Sequence, residues 1–276
     1  MYETCIKNLY GADLSVFVCA DFRADFFSFN ASNSTSLFAG FSLRWYESLF
    51  QDKATLQALY NSLILAVASS LAATVLGTAA AVGIDTMRNK WLKSSVLSVT
   101  NIPMMNPEIV TGISMMLLFV FAGKLLGARD VLGFWTLLFA HITFNLPYVI
   151  LSILPKLRQM DPHLSEAAQD LGCTPARSFF QVVLPGIMPG IVTGLVMSFT
   201  MSLDDFIISY FTNGPSFQTL PVRIYSMTKR RVTPDIYALF TLIFVAILVL
   251  LILYNIAQAQ GEKRINKKMA VKETEN

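Results

Sequence analysis

Charge is scarce in this chain. Among 276 residues, 18 are Asp or Glu and 21 are Lys or Arg, which leaves 14% charged against 54% hydrophobic and a mean hydropathy of +0.54. An ordinary soluble domain carries about a quarter charged residues. Several runs of around twenty apolar residues contain almost no charge, the signature of transmembrane helices. The net charge of +3 is too small to argue for a nucleic-acid partner. Cysteine is scarce too: Cys5, Cys19 and Cys173 lie far apart and form no CxxC pair, so neither a disulfide framework nor a metal site is expected. The two histidines, His141 and His163, are not spaced as a ligand pair. There is no G-x-x-x-x-G-K-[ST] phosphate loop, no H-E-x-x-H pair and no Ser, His and Asp in a recognisable nucleophile setting. No basic start followed by a clean apolar core and cleavage site marks a signal peptide. The expectation is a non-enzymatic membrane protein that binds no cofactor or metal itself.

The apolar runs set the organisation. Residues 9–29 have the length of a span but include Asp13, Asp21, Arg23 and Asp25. Each charge near a helix centre costs roughly 2.5–3.5 kcal/mol, so this segment (1–29) reads as a degenerate first span. Residues 30–61 are polar, with an aromatic group, Phe38, Phe41, Trp45, Tyr46 and Phe50, expected at a membrane interface. The sequons at Asn30 and Asn33 are expected to be chance matches. Residues 62–84 form a clear span rich in small residues. A second apolar region, 94–123, is interrupted by Pro103, Asn106, Pro107 and Glu108, which should kink or break it. Further spans are expected over 131–154, 186–210 and 235–257, with a polar loop over 211–233. Gly186, Gly190 and Gly194 repeat every four residues and favour close helix contact. The tail, 258–276, is basic. Alternation and the basic loops favour a cytoplasmic C-terminus, although Lys229, Arg230 and Arg231 would then lie outside.

Two features carry chemistry. Glu108, Asp204 and Asp205 are acids at membrane depth, and such groups normally face a cavity or partner rather than lipid. With Phe206, Tyr210 and Trp45 they describe an acidic, aromatic mouth suited to a cationic solute. The second feature is a polar interruption, 155–185. Asp161 can cap a helix opened by Pro162, Gly172 suits the left-handed residue that ends it, and Thr174 with Pro175 can start another. A compact helix-turn-helix between spans is expected, with Glu166 and Asp170 one turn apart.

At Glu166-Ala167-Ala168, Gly172, Val182 and Leu184-Pro185 the chain resembles the permease subunits of ATP-binding-cassette importers, with Val where that family usually has Ile. Trp45-Tyr46, Met105 to Val110, Phe134-Trp135, His141 to Phe144, Ser198 to Thr200, Ser202 to Asp205 and Gly214 to Ser216 look like the second permease subunits of spermidine/putrescine importers. The resemblance covers about 29–257. It implies an all-α polytopic bundle of about six spans, the first doubtful, in a bacterial inner membrane. It implies coupling through Glu166, Ala167, Ala168, Asp170, Gly172, Leu184 and Pro185 to an ATPase subunit dimer that holds ATP and Mg. It places Trp45, Glu108, Ser202, Asp204 and Asp205 on the substrate path; relatives often have Asp at position 108. Further implied partners are a homologous permease subunit, a periplasmic polyamine-binding protein, the polyamine and the bilayer, with no nucleic acid. Residues 1–25 depart from the family's clean first span, and an altered reading frame upstream of Phe26 is expected to explain it. Alternatives are a permease for another organic cation or small solute, or a transport-defective subunit.

Overall fold

The structure, a computed structural model, describes residues 28–31, 40–127, 131–161, 163–215, 217–229, 236–242, 244–245, 248–249 and 252. The first-span segment up to Asp25 and the basic tail lie outside the described residues. The chain divides into two units, 1–53 with 226–276, and 54–225.

In the first unit, α1 (Arg44–Gln51) follows a short antiparallel bridge between Asn30 and Phe41. Phe29 stacks on Phe41 with centroids 5.2 Å apart and lies 5.4 Å from the Tyr46 ring. Asp52 ends α1, its N–H donating to the Ser48 and Leu49 carbonyls. The last apolar run is helical at 236–242, 244–245, 248–249 and 252.

The second unit begins with α2 (Lys53–Thr86), whose first residue belongs to the first unit. It is longer at both ends than the apolar run alone predicts. The expected break of the next region is present: α3 (Lys90–Met105) stops at Asn106-Pro107 and α4 (Glu108–Leu125) restarts at once. Pro107 has no N–H to donate back into α3, so a new helix begins there. Asn89 caps α3, its Oδ1 accepting the Trp91 N–H at 3.0 Å. α5 (Phe134–Gln159) carries Pro147 and Pro155 without breaking.

The polar interruption forms α6 (His163–Asp170) and α7 (Pro175–Ser178). Its second arm does not stop. A π-helical turn, Phe179–Val183, joins α7 to α8 (Leu184–Asp204), so the expected separate hairpin helix is instead the start of a span. Pro185 explains the wide turn: its ring would collide with the carbonyl four residues back, and one looser turn relieves this. The expected continuous span 186–210 is interrupted at Asp205-Phe206, after which α9 (Ile207–Thr212) starts. The expected loop 211–233 contains α10 (Leu220–Thr228).

α5 is the axis of this unit. Its Val149, Ile150, Ile153, Leu154 and Leu157 pack with Ala73, Ala81 and Ile84 of α2 and Ile187 of α8. The predicted glycine stripe is the contact itself. A Cβ on Gly190 would lie 2.9 Å from the Ser152 carbonyl oxygen, and one on Gly194 would lie 3.3 Å from Val149 Cα. On its far side α5 meets α9 through Ala140, Phe144 and Ile208. α9 also lies on α4, where a Gly112 Cβ would sit 3.4 Å from the Ile207 carbonyl. Four helical stretches among the described residues are long and apolar enough to cross a membrane: 53–86, 108–125, 134–159 and 175–204.

Candidate functional site

The interruption at Asp205-Phe206 follows from Asp205. Its Oδ1 accepts the Ile208 N–H at 3.2 Å and its Oδ2 the Ser209 N–H at 2.7 Å. These donors are left without intrahelical partners in the first turn of α9, and a carboxylate there also meets the positive end of the helix dipole. Behind Asp205 lies a buried polar chain. His141 Nδ1 is 2.8 Å from Ser202 Oγ, and its Nε2 is 3.1 Å from Ser209 Oγ and 3.5 Å from Asp205 Oδ2. Ser202 continues to Ser69 of α2 through a 2.8 Å hydroxyl pair. Ser69, His141, Ser202, Asp205 and Ser209 are each no more than 8% exposed. The structure thus brings a Ser, a His and an Asp together where no such grouping was expected. It is not a nucleophile site, because Ser202 is enclosed and its hydroxyl already has two partners.

The five residues read as the substrate path divide sharply. Asp204 is exposed at the last turn of α8, and Glu108 is exposed in the first turn of α4. Among the described residues neither makes an ion pair. Asp205 and Ser202 are buried in the polar chain. Trp45, in the other unit, is buried, donates its indole N–H to the Asn30 carbonyl at 2.6 Å, and has the Arg44 guanidinium 5.7 Å from its ring. Just past the break the rings of Phe206, Tyr210 and Tyr225 cluster, Phe206 and Tyr225 at 4.8 Å and Tyr210 and Tyr225 at 5.7 Å. Sequence reasoning named Phe206 and Tyr210 but missed Tyr225, which sits on the unforeseen α10. It also missed Ser69, His141 and Ser209. His141 had a signal: it is an ionisable residue within an apolar run.

The polar interruption has its expected caps. Asp161 Oδ1 accepts the His163 N–H at 2.9 Å. α6 ends on Gly172 at φ +90, with the Cys173 N–H on the Ala168 carbonyl and the Gly172 N–H on the Gln169 carbonyl, a Schellman pattern. Thr174 Oγ1 accepts the Arg177 N–H at 3.3 Å, with Pro175 at the first position. Ser178 is fully buried and donates to the Ser165 carbonyl at 3.1 Å, tying the arms together. Glu166, Ala167 and Asp170 are exposed, as are Leu164, Leu171 and Phe180. Gly172 and Pro185 are exposed too; Ala168 and Leu184 are half-buried. A cavity of about 450 Å³, lined by Asp85, Leu157, Asp161, Ser165, Phe179 and Val183 among others, separates the hairpin from the ends of α2 and α5. The His163 imidazole, 3.1 Å from Glu166 Oε2, has its pKa held above the ordinary value, first by that hydrogen bond and then by the charges of Glu166 and Asp161.

Residues 73–267 match the family described as binding-protein-dependent transport system inner membrane component. The chain belongs to this family. This permease is 41% identical over 225 residues to the spermidine/putrescine transport system permease protein PotC of Escherichia coli K12, covering 82% of the chain and 83% of the relative. It is 38% identical over 238 residues to the putrescine transport system permease protein PotI of the same strain, covering 86% and 85%. Among solved structures, a bacterial importer of the acidic polysaccharide alginate superposes with a TM-score of 0.68 at 16% identity over 89% of the chain and 92% of that structure. The MetNI methionine transporter, in an inward-facing form, gives 0.59 at 18% over 72% and 91%. The structural likenesses establish the all-α fold, and the family match makes the chain a multi-pass inner-membrane permease.

Proposed function

We propose that this permease is a subunit of an ATP-driven polyamine importer and forms its solute path together with a homologous permease. The reading rests on the similarity to PotC and PotI. The observation that carries it to particular residues is the Asp204 carboxylate, exposed at the break between α8 and α9 and without an ion pair among the described residues, with the clustered rings of Phe206, Tyr210 and Tyr225 following the break. A polyamine is a flexible chain of ammonium groups and methylenes. A carboxylate attracts the first, and aromatic faces hold both. Glu108 supplies a second open carboxylate. Asp205 and Ser202 act from behind, by shaping the break. Trp45 contributes by holding Asn30 to α1.

In this reading a periplasmic binding protein delivers the polyamine, and an ATPase dimer holding ATP and Mg receives the α6–α7 hairpin. Glu166, Ala167 and Asp170 meet the ATPase, Ala168 keeps the helix face small, Gly172 sets the turn, and Leu184 with Pro185 begins the span that carries the motion. The C-terminus is then cytoplasmic.

Radiolabelled spermidine uptake in cells expressing the complete importer tests the proposal. Asp204→Asn combined with Glu108→Gln is expected to raise KM at least about tenfold, with unchanged abundance in the membrane. Unaltered uptake by this variant would rule out the acidic path.

A further inference from the structure

His141 is the point at which the two sides of the helix break are joined. Ser202 lies in the last turn of α8 and Ser209 in α9, and the imidazole contacts both, through Nδ1 at 2.8 Å and Nε2 at 3.1 Å. The unwound Asp205 between them lies 3.5 Å from Nε2 and accepts the Ile208 and Ser209 N–H groups. An imidazole offers two hydrogen-bonding edges about 140° apart around one rigid ring. Hydroxyls donate or accept, so either neutral tautomer is satisfied here. No apolar side chain of similar volume spans the break in this way. Burying polar groups between helices is costly unless they are paired, and here the cost is met at one break. Through Ser202 the same chain reaches Ser69, anchoring the break to α2.

Asp204 sits between these anchored groups, one residue after Leu203 and one before Asp205. Its backbone is fixed on both sides while its carboxylate remains exposed. We infer that His141 is the positioning residue for Asp204: it holds the α8–α9 break so that this carboxylate faces the solute. The inference rests on the reading of Asp204 as a cation-receiving group.

The assembled importer, with both permease subunits, the ATPase and the binding protein, tests it in proteoliposomes. His141→Leu is expected to raise KM for spermidine about tenfold with kcat within about twofold, the pattern of lost solute contact. His141→Gln, which both donates and accepts, is expected to recover most of the loss. In an Asp204→Asn background, His141→Leu should raise KM no further, because the group it positions is already absent. A fall in kcat at constant KM, or additive effects in the double variant, would overturn the inference. If His141→Leu does not assemble, Ser209→Ala is measured instead; it removes one hydroxyl and is expected to raise KM severalfold, and an unchanged KM counts against the proposal.

A second measurement does not involve the solute. With Asp204→Cys in the detergent-solubilised importer, labelling of position 204 by a charged maleimide is followed by peptide mass spectrometry. His141→Leu should change the rate severalfold and His141→Gln much less; equal rates refute the positioning role. If the unmodified importer carries no polyamine, the functional reading fails while the labelling rates still decide on His141.

Discussion

At the scale of single residues, the buried and the exposed ionisable groups do different work. His141 spends both ring nitrogens on neighbours inside the unit, whereas His163 is exposed on the hairpin with Glu166 as partner. The sign of its pH response follows. Its pKa is raised by the Glu166 hydrogen bond, then by the charges of Glu166 and Asp161. The His163–Glu166 interaction is therefore complete below the ordinary histidine pKa near 6.5 and is lost as pH rises through the higher folded value. Titration by NMR separates the two histidines by environment. His163 is expected to titrate above the ordinary value, and Glu166→Gln is expected to bring it back down. A His163 titration that Glu166→Gln leaves in place would show that the pair does not hold. Asn145 poses the opposite case: it is fully buried, one turn beyond His141 on α5, and its side-chain amide has no partner among the described residues.

At the scale of elements, α5 and α8 meet along small residues. Gly190 faces the Ser152 carbonyl, which is backbone and cannot swing aside, so Gly190→Ala must push the helices apart. Overpacking of this kind costs about 1–3 kcal/mol. Among the described residues nothing lies within 4 Å of the Cβ position of Gly83 on α2, so Gly83→Ala gains helix propensity without a collision. Thermal unfolding of the purified importer should show a lower midpoint for Gly190→Ala and an equal or higher one for Gly83→Ala; equal midpoints for both would mean the glycine contact is slack. The four-residue spacing made this contact legible in the sequence, just as Pro107 marked the α3–α4 break and Gly172 the end of α6. Those features are local, written in residues with one permitted backbone role. The break at Asp205 was hidden because no proline or glycine marks it. It depends on a side chain folding back onto N–H groups three and four residues ahead, and on a histidine 64 positions earlier. α10 was hidden for a related reason: its mixture of polar and apolar residues lacks the length and hydropathy of a span. The acids themselves were legible, but which of Asp204 and Asp205 stays open was not, since adjacent residues of one type are separated only by the packing around them.

At the scale of the molecule, the hairpin and the candidate solute site are two ends of one helical path. From Pro175 through the π-turn to Asp204 there are 30 residues, about 45 Å of helix. That length exceeds the hydrocarbon thickness of a bilayer, about 30 Å. On the proposed reading, a displacement imposed on α7, which Ser178 ties to α6, would travel along α8 to the break at Asp204. The π-turn is the section where the helical hydrogen-bond register changes. Gln181→Gly with Val182→Gly softens that section without altering its length or the face presented by α8; Gln181→Ala with Val182→Ala removes the same side chains but keeps helix propensity, Gly being about 1 kcal/mol poorer per residue. In proteoliposomes the glycine pair is expected to lower spermidine molecules carried per ATP hydrolysed severalfold, with KM unchanged, while the alanine pair stays near the unmodified ratio. Equal ratios for the two pairs would mean that motion reaches Asp204 by another route. A raised KM in the glycine pair would mean that this turn shapes the solute site itself, so the two measurements separate transmission from recognition along the same helix.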